Sequence, residues 1–525
     1  MTRDSKFLTF ALCPLPFALV TLFAVANVAS FQTFDVREAT IADIHVAMRA
    51  KRLTCRALVE AYLKRIEAFD KQGPSLNAIV VVNPNALKEA DEKDRRFAQG
   101  GMTGPLHCIP MIVKDNFETI GLQSAAGSIT MKGFVSDKDA FQVRKIKEAG
   151  AIVLAKSNMG EFAFSPQETL NSLQGHTRNP YDPSRVPAGS SGGTAASVAA
   201  SFGTVGLGSD TGNSIRGPSS HTALVGIRST MGLTSRAGVI PLSYLADVAG
   251  PMARTVTDAV AVFQVIVGED PEDPMTARSR GRAIPNYAAS LDRNGLKGTR
   301  IGVLHQAYER NNAQVDPEIA KVFAKAIDDL KAAGAEIVDP ANVDQPARPQ
   351  GMGGCRGFKY DINEYLKTRG QKAPVHSLDE IIASPLFDKI PAVSQTRLKS
   401  AQTSNPEGPE SEACKANAAY REAFGAAVTK AMDEMKLDAF VYPTWNDPPR
   451  LIGDPNGGDN SQVFSPTSGF PAINVPMGYT RDDKLPAGMT IFGRAWDEAR
   501  LIKLAYAYEQ ATKHRKPPES TPPVR

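Results

Sequence analysis

Short apolar runs alternate along the chain with longer segments whose apolar residues recur at helical spacing. The runs, which are typical of buried strands, lie at 78–82, 109–113, 151–154, 205–208, 301–304, 335–338 and 439–442. The helical spacing occurs at 85–98, 140–149, 195–200, 317–333, 417–435 and 501–511. This alternation predicts an α/β fold in which helices cover both faces of a sheet and catalytic groups gather where strands end.

No linker divides the part of the chain that carries this alternation. Residues 31–516 are therefore predicted to form a single domain. The interval 340–409 is rich in proline, glycine and polar residues, which indicates a variable insertion lying over the sheet. The proline-rich residues 517–525 are predicted to be a frayed tail.

The first 30 residues differ from the rest of the chain. Arg3 and Lys6 precede an apolar run at 7–26, and the small residues 28–30 follow it. This order is typical of an export signal, so residues 1–30 are predicted to be cleaved from a secreted or periplasmic protein. A membrane anchor is the alternative, although two prolines interrupt the run. No later segment is apolar enough to span a membrane.

Four cysteines follow the predicted signal, and an oxidising compartment permits disulfides between them. Cys355 and Cys414 share a polar, Gly/Pro-rich region and are the favoured pair. Cys108 lies beside an apolar run and is expected to pack as a small apolar residue. Because four cysteines allow three full pairings, the connectivity stays open.

The net charge of the chain and the spacing of its possible metal ligands exclude several classes of function. The chain of 525 residues has 60 basic and 56 acidic residues, a formal charge of +4, and no basic stripe interleaved with aromatic residues. Nucleic acid is therefore not an expected partner. The cysteine and histidine spacings match no zinc site, and we expect neither a metal nor another cofactor.

Glycine and hydroxyl residues are concentrated at 187–216, which reads PAGSSGGTAASVAASFGTVGLGSDTGNSIR. Glycine allows a backbone to pass close to another group, and two such bends can bring hydroxyls and bare N–H donors together. The helical segment and short strand that join the bends are not expected in a flexible linker. The pattern indicates catalysis, with Ser190, Ser191 and Ser214 as candidate nucleophiles.

One interpretation makes Ser191 the nucleophile of an α/β-hydrolase. Residues 189–193 match the G-x-S-x-G nucleophile elbow, which a strand must deliver. Residues 178–188 contain three prolines and are expected to be irregular instead. The histidines that could complete a triad share no local signature: His221, His305, His376 and His514.

The other interpretation needs no histidine. Lys114 follows the apolar run 109–113, where burial would favour its neutral amine and allow it to act as a general base. A solvated pair between Lys114 and Asp115 is the alternative for the lysine considered alone.

Several longer motifs resemble those of the amidase signature family of serine hydrolases, through most of the chain. They are IPMIVKDNF at 109–117, AAGS at 125–128, EAGAIVLAKSNMGEFAF at 148–164, the 187–216 stretch, GPMART at 250–255 and SGFPAINVPMG at 468–478. The resemblance implies the amidase signature fold, with a large mixed β-sheet core, and a single catalytic domain at 31–516.

Carried over by position, the resemblance makes Ser214 the nucleophile, Ser190 a bridging serine held by a cis peptide bond, and Lys114 the base. The two serines are 24 residues apart, as in well-known members. In the implied mechanism, neutral Lys114 draws a proton from Ser190, which takes one from Ser214 as that oxygen attacks an amide carbonyl.

The same resemblance assigns the backbone N–H groups of an oxyanion hole and residues that support them. The oxyanion-hole residues are Thr211, Gly212, Asn213 and Ser214, and the supporting residues are Asp210, Arg216 and Ser191. Asp210 and Arg216 are expected to form an ion pair. Asn213 occupies a position where glycine is commonest in the family, and asparagine tolerates left-handed backbone angles better than most residues.

We therefore expect an exported amidase that hydrolyses a small-molecule carboxamide, ester or carbamate through an acyl-enzyme. A symmetric homodimer is the default assembly. The family also contains the amidase component of tRNA-dependent amidotransferases, which is the alternative. Candidate walls of the substrate pocket are residues 159–164 and four residues of the insertion: Met352, Phe358, Tyr360 and Phe387.

Overall fold

A mixed sheet of 11 strands runs through the structure, a computed structural model that describes residues 1–2, 34–310 and 313–524. The strands are β1 (Ile79–Val82), β2 (Pro110–Lys114), β3 (Ile152–Ser157), β4 (Val205–Asp210), β5 (Val225–Arg228), β6 (Val248–Ala253), β7 (Arg300–Val303), β8 (Glu336–Val338), β9 (Ala439–Pro443), β10 (Ala472–Thr480) and β11 (Leu485–Phe492). Their order is β1-β3-β2-β4-β6-β5-β10-β11-β9-β7-β8. Apart from its first two residues, the predicted signal peptide lies outside the described residues.

The two flanks of the sheet contain parallel strands, and its centre is antiparallel. β2 pairs in parallel with β3 and β4, and β7 pairs in parallel with β8 and β9. Strands β2, β3 and β4 are buried along their whole length, as expected when both faces of a sheet are covered. The predicted mixed α/β fold is confirmed.

The antiparallel centre carries no sequence pattern that identifies its strands. β6 and β10 contain both glycine and proline, which weaken a strand prediction. β6 is also buried at every position, so it shows no alternation of apolar and polar residues. Apolar periodicity alone therefore predicts the flanks but not the centre.

Helices surround the sheet, and short polar side chains cap several of them. Thr40 and Asp43 form a capping box at the first helix, and Thr54 accepts from the Ala57 N–H at the second. None of the described helices is long and apolar enough to cross a bilayer. The helices are α1 (Ile41–Arg49), α2 (Cys55–Phe69), α3 (Ala86–Gly100), α4 (Phe141–Glu148), α5 (Gly192–Ala199), α6 (Arg216–His221), α7 (Val256–Ile266), α8 (Pro317–Ala332), α9 (Phe358–Lys367), α10 (Leu378–Ala383), α11 (Ala392–Thr403), α12 (Glu412–Glu434), α13 (Phe464–Ser468) and α14 (Glu498–Thr512).

The interval 340–409 contains the three helices α9, α10 and α11. Its apolar side chains share a buried cluster with residues that follow β2 and β3, among them Phe134 and Phe162. The ring of Phe358 packs edge-on against Phe162 and Phe164. The insertion therefore packs on the loops that follow these two strands.

Two disulfide bonds join the four cysteines that follow the predicted signal. The favoured pair, Cys355 and Cys414, is bonded. Cys108 is bonded to Cys55, with 5.6 Å between their Cα atoms, so the expectation that it packs as a free apolar residue is wrong. The bond depends on the position of α2, which begins at Cys55, beside the start of β2, and no local pattern reveals that approach.

Replacing Cys55 and Cys108 together by alanine is expected to lower the free energy of unfolding by about 4 kcal/mol, because the bond closes a loop of 53 residues in the unfolded chain. Urea unfolding of the variant and the parent protein measures the loss. Peptide mapping without reductant provides the control, since it should yield one fragment that links the two cysteines. Alkylation of Cys108 in the unreduced protein would contradict the pairing.

The described part of the proline-rich segment, 517–524, is held by hydrogen bonds at residues 520–522, so the expectation of a frayed tail is wrong there. Arg65 of α2 donates from Nη2 to the carbonyl of Thr521 at 2.8 Å and from Nη1 to that of Pro522 at 2.9 Å. The Ser520 hydroxyl donates to the carbonyl of Pro180. Because these partners lie far away in the sequence, composition alone does not show that the segment is held.

Candidate active site

The candidate catalytic side chains lie where β2 and β4 end. β2 ends at Lys114, and its parallel neighbour β4 ends with Ser209 and Asp210. Parallel neighbours bring their carboxyl ends to the same edge of a sheet. Helix α5 begins directly after the Ser190–Ser191 turn, and α6 begins shortly after Ser214. The two glycine-rich bends therefore meet at one edge.

Lys114 is completely buried and contacts Ser190. Its Nζ lies 2.8 Å from Ser190 Oγ, 2.9 Å from Ser209 Oγ and 3.3 Å from the Ser209 carbonyl. Burial lowers the pKa of Lys114 to about 7, although the negative charges of Asp247 and Asp210 act in the opposite direction. The amine therefore changes its charge close to neutral pH. The alternative of a solvated pair with Asp115 is wrong.

The turn before α5 has the cis peptide bond that the family resemblance implies, between Gly189 and Ser190. A side chain at Gly189 would clash, since a Cβ atom there would lie 2.3 Å from the Glu168 carbonyl oxygen. The same holds at Gly193, where the carbonyl oxygen of Asn158 is 2.1 Å away. Glycine is therefore required at both positions by close backbone approach.

Ser214 borders an open cavity of about 330 Å³, whereas Ser191 does not. Ser191 is fully buried, its hydroxyl donates to the Ser209 carbonyl at 3.1 Å, and its backbone N–H donates to the carbonyl of Ser214. No strand delivers Ser191, because the preceding described strand, β3, ends at Ser157. These facts contradict the nucleophile-elbow interpretation and give Ser191 a supporting position.

The predicted ion pair between Asp210 and Arg216 is present, and a second guanidinium joins it. Asp210 Oδ2 lies 3.3 Å from Arg216 Nε, and Oδ1 lies 3.0 Å from Arg228 Nη1. All three side chains are fully buried. Burial alone would raise the pKa of Asp210, but the two guanidinium groups outweigh it and hold the pKa below its ordinary value.

Asp210→Asn is expected to lower the free energy of unfolding by about 3–5 kcal/mol, because it leaves two buried guanidinium groups without their counter-charge. Urea unfolding of the variant measures the loss. Glu434→Gln removes an exposed acid paired with Lys430 and provides the control, with an expected change below about 0.5 kcal/mol. Equal stability of the two variants would show that the buried pair does not brace this loop.

Three contacts hold the loop 211–214 in place. Thr211 Oγ1 donates to Asp247 Oδ1 at 2.5 Å, and Asn213 Nδ2 donates to the Thr444 carbonyl at 3.3 Å. Gly212 lies against Gln462, whose Oε1 would be 2.3 Å from an added Cβ atom. Asn213 does not adopt a positive φ, so its side chain anchors the loop to the end of β9 without left-handed strain.

The walls of the Ser214 cavity differ in part from those predicted. Ala163 and Phe164 of the predicted segment 159–164 line it, together with Leu242 and Gln462. The insertion contributes Arg397, whose Nη1 donates to the Phe164 carbonyl at 2.7 Å. The insertion residues predicted to line the cavity do not reach it: Met352, Phe358, Tyr360 and Phe387. Phe358 and Phe387 pack in the buried cluster, which is the commoner place for an aromatic side chain.

Several polar residues of the site carry no local sequence signal. Ser209 contacts Lys114 Nζ and also accepts from Asn116 Nδ2 at 3.1 Å. Asp247 accepts from two backbone N–H groups of its own loop besides Thr211. Among the described residues, no group of three or more His, Cys, Asp or Glu side chains is placed to hold a metal ion.

Comparison with known protein families gives a match over most of the chain. The family described as Amidase matches residues 57–502. The chain belongs to the amidase signature family. The motifs that carry the resemblance include those around Lys114, Ser190 and Ser214, and all three lie within the matched range.

Individual members of the amidase signature family match over almost their full length. The native peptide amidase of Stenotrophomonas maltophilia superimposes with a TM-score of 0.82 and 37% identity, covering 92% of this chain and 98% of that one. A probable amidase of Arabidopsis thaliana is 35% identical over 95% of each chain. A glutamyl-tRNA(Gln) amidotransferase subunit of Koribacter versatilis is 33% identical over 91% of this chain and 99% of its own. The protein is an amidohydrolase of this family.

Proposed function

We propose that this amidohydrolase cleaves a carboxamide through an acyl-enzyme on Ser214, with Ser190 and Lys114 as a proton relay. Ser214 Oγ attacks the carbonyl carbon and gives its proton to Ser190 Oγ, which gives its own proton to neutral Lys114 Nζ. Lys114 then returns its proton to Ser190, and Ser190 gives one proton to the leaving nitrogen as the C–N bond breaks. Water then attacks the acyl-enzyme through the same relay, which releases the acid and restores the Ser214 hydroxyl.

The contact between Lys114 and Ser190 carries this proposal. At 2.8 Å, Nζ is within hydrogen-bond distance of Ser190 Oγ, and complete burial brings the pKa of the amine to about 7. A base is most effective when its pKa lies near the working pH, because it is then partly unprotonated and still basic. Ser214 supports the assignment of the nucleophile, since it lines the cavity in which a substrate would reach the relay.

Backbone N–H groups of residues 211–214 are proposed to bind the oxyanion of the tetrahedral intermediate. Asp210, Arg216 and Asp247 support this role, because their buried polar contacts hold the loop and the residue that follows it. A preorganised donor stabilises the developing charge without reorganising in the transition state. The neutral backbone N–H groups would serve esters and carbamates equally well.

The test is hydrolysis of a panel of aliphatic, aryl and C-terminal peptide amides by the purified single chain. We expect release of ammonia or amine from at least one class, and a fluorophosphonate label that maps to the peptide containing Ser214. A label on any other serine would overturn the mechanism. Activity that appears only in a multi-protein complex would instead favour the amidotransferase-type role, for which the glutamyl-tRNA(Gln) amidotransferase relatives are the supporting observation.

We also propose that the protein is exported, with residues 1–30 removed. The two disulfides, Cys55–Cys108 and Cys355–Cys414, support this location, because such bonds persist in oxidising compartments. N-terminal sequencing of protein recovered from the cell envelope and the medium is the test. We expect a mature chain that begins near residue 31, and an intact N-terminus in a cytosolic fraction would contradict the proposal.

A further inference from the structure

A second cavity, of about 660 Å³, lies beside α12 and the C-terminal end of α13. Its lining shares no residue with the Ser214 cavity. Apolar side chains of Met231, Leu245, Met275 and Phe470 form much of its wall. This volume lies within the range of about 300–1,000 Å³ that small-molecule sites occupy.

Two arginines that line this cavity have no acidic partner within ion-pair distance in the part of the chain that the structure describes. Arg421 of α12 is half-buried, and its Nη2 donates to the Pro466 carbonyl at 2.7 Å. Burial, together with the neighbouring cations Arg228 and Arg278, lowers the pKa of Arg421 to about 10. Arg278 also lines the cavity, and its Nη1 donates to the sulfur of Met275 at 3.9 Å.

The remaining charges around the cavity do not neutralise these two. Arg356 is already paired with Asp361, at 2.5 Å. Glu422 follows Arg421 on the same helix, where successive side chains point about 100° apart, and it is exposed. The cavity therefore combines apolar walls with two guanidinium groups that form no ion pair with a described acidic residue, and one of these two is half-buried.

We propose that this second cavity binds an organic carboxylate with an apolar body, held by Arg421 and Arg278. A partly buried charge without a counter-charge is costly, and a bound anion removes that cost. The guanidinium group matches a carboxylate in geometry and can donate two parallel hydrogen bonds. The apolar body of the ligand would cover Met231, Leu245 and Phe470, which gains the free energy of removing apolar surface from water.

The test has to separate this cavity from the Ser214 cavity, because the product of amide hydrolysis is itself a carboxylic acid. The probe is octanoate, titrated calorimetrically into the intact protein, with 1-octanol as the uncharged control. Arg421→Met and Arg278→Met each remove one proposed anchor. Arg397→Met is the matched control, because it removes an arginine from the Ser214 cavity and keeps both anchors.

We expect octanoate to bind, 1-octanol to bind much more weakly, and Arg421→Met to raise the dissociation constant of octanoate at least about tenfold, the equivalent of one charge-assisted hydrogen bond. Arg397→Met should leave that constant unchanged. If Arg421→Met does not fold, the exposed Arg278 provides the second test, because Arg278→Met should also raise the dissociation constant of octanoate. Absence of octanoate binding, equal binding of 1-octanol, or a loss caused by Arg397→Met alone would each overturn the proposal.

Discussion

Ser214→Ala is expected to lower kcat by about 10⁵- to 10⁶-fold, because no acyl-enzyme can form without the attacking oxygen. Residual turnover would come from substrate positioning and from the loop 211–214, proposed above to bind the oxyanion, both of which the substitution leaves in place. Steady-state kinetics on the best amide of the panel measures the loss. Mass spectrometry after fluorophosphonate treatment should show no adduct on the variant.

Ser191→Ala is the matched control for this experiment. It removes a hydroxyl at the same turn, but that hydroxyl is buried and donates to the Ser209 carbonyl instead of facing the cavity. We expect Ser191→Ala to lose about 1 kcal/mol of stability with the hydrogen bond and to keep its ability to form the adduct at Ser214. Loss of labelling in Ser191→Ala together with normal labelling in Ser214→Ala would restore the nucleophile-elbow mechanism.

The sequence predicts those parts of the site that are local in the chain. Ser190 and Ser214 lie in glycine-rich bends, and Lys114 directly follows an apolar run, so each is visible in a short window. Asp210 and Arg216 lie six residues apart around one loop, and their pairing is also local. Short-range signals of this kind also suffice for the predicted strands and helices, whose observed bounds agree with the predictions to within five residues.

Contacts between distant segments account for most of what the sequence does not predict. Arg228 reaches Asp210 from β5, although β6 lies between β5 and β4 in the sheet. Arg397 enters the Ser214 cavity from α11, a helix with no apolar stripe or motif that marks it. The bond between Cys55 and Cys108 has the same origin, since it needs α2 packed beside the start of β2. Such contacts follow from the complete topology, which periodicity does not determine.

Lys114→Ala is expected to lower kcat by about 10³- to 10⁴-fold and to abolish the acid limb of the pH profile. In the parent protein, protonated Lys114 cannot accept the Ser190 proton, so kcat/KM should rise with pH through about 7, where the buried amine loses its charge. Below that value the rate should fall about tenfold per pH unit. Rates measured across this pH range, with stability checked at each pH, give the profile.

The variant Asp247→Asn tests whether the acid limb of the pH profile comes from Lys114 or from another group that titrates in the same pH range. The negative charge of Asp247 raises the pKa of Lys114, so its removal should move the inflection of the parent profile to lower pH and leave the acid limb in place. Burial also raises the pKa of Asp247 itself, to about 6, and if that carboxyl were the group responsible, the limb would vanish in Asp247→Asn. An unchanged profile in Lys114→Ala would rule out the lysine as the base, because the titration would then belong to another residue.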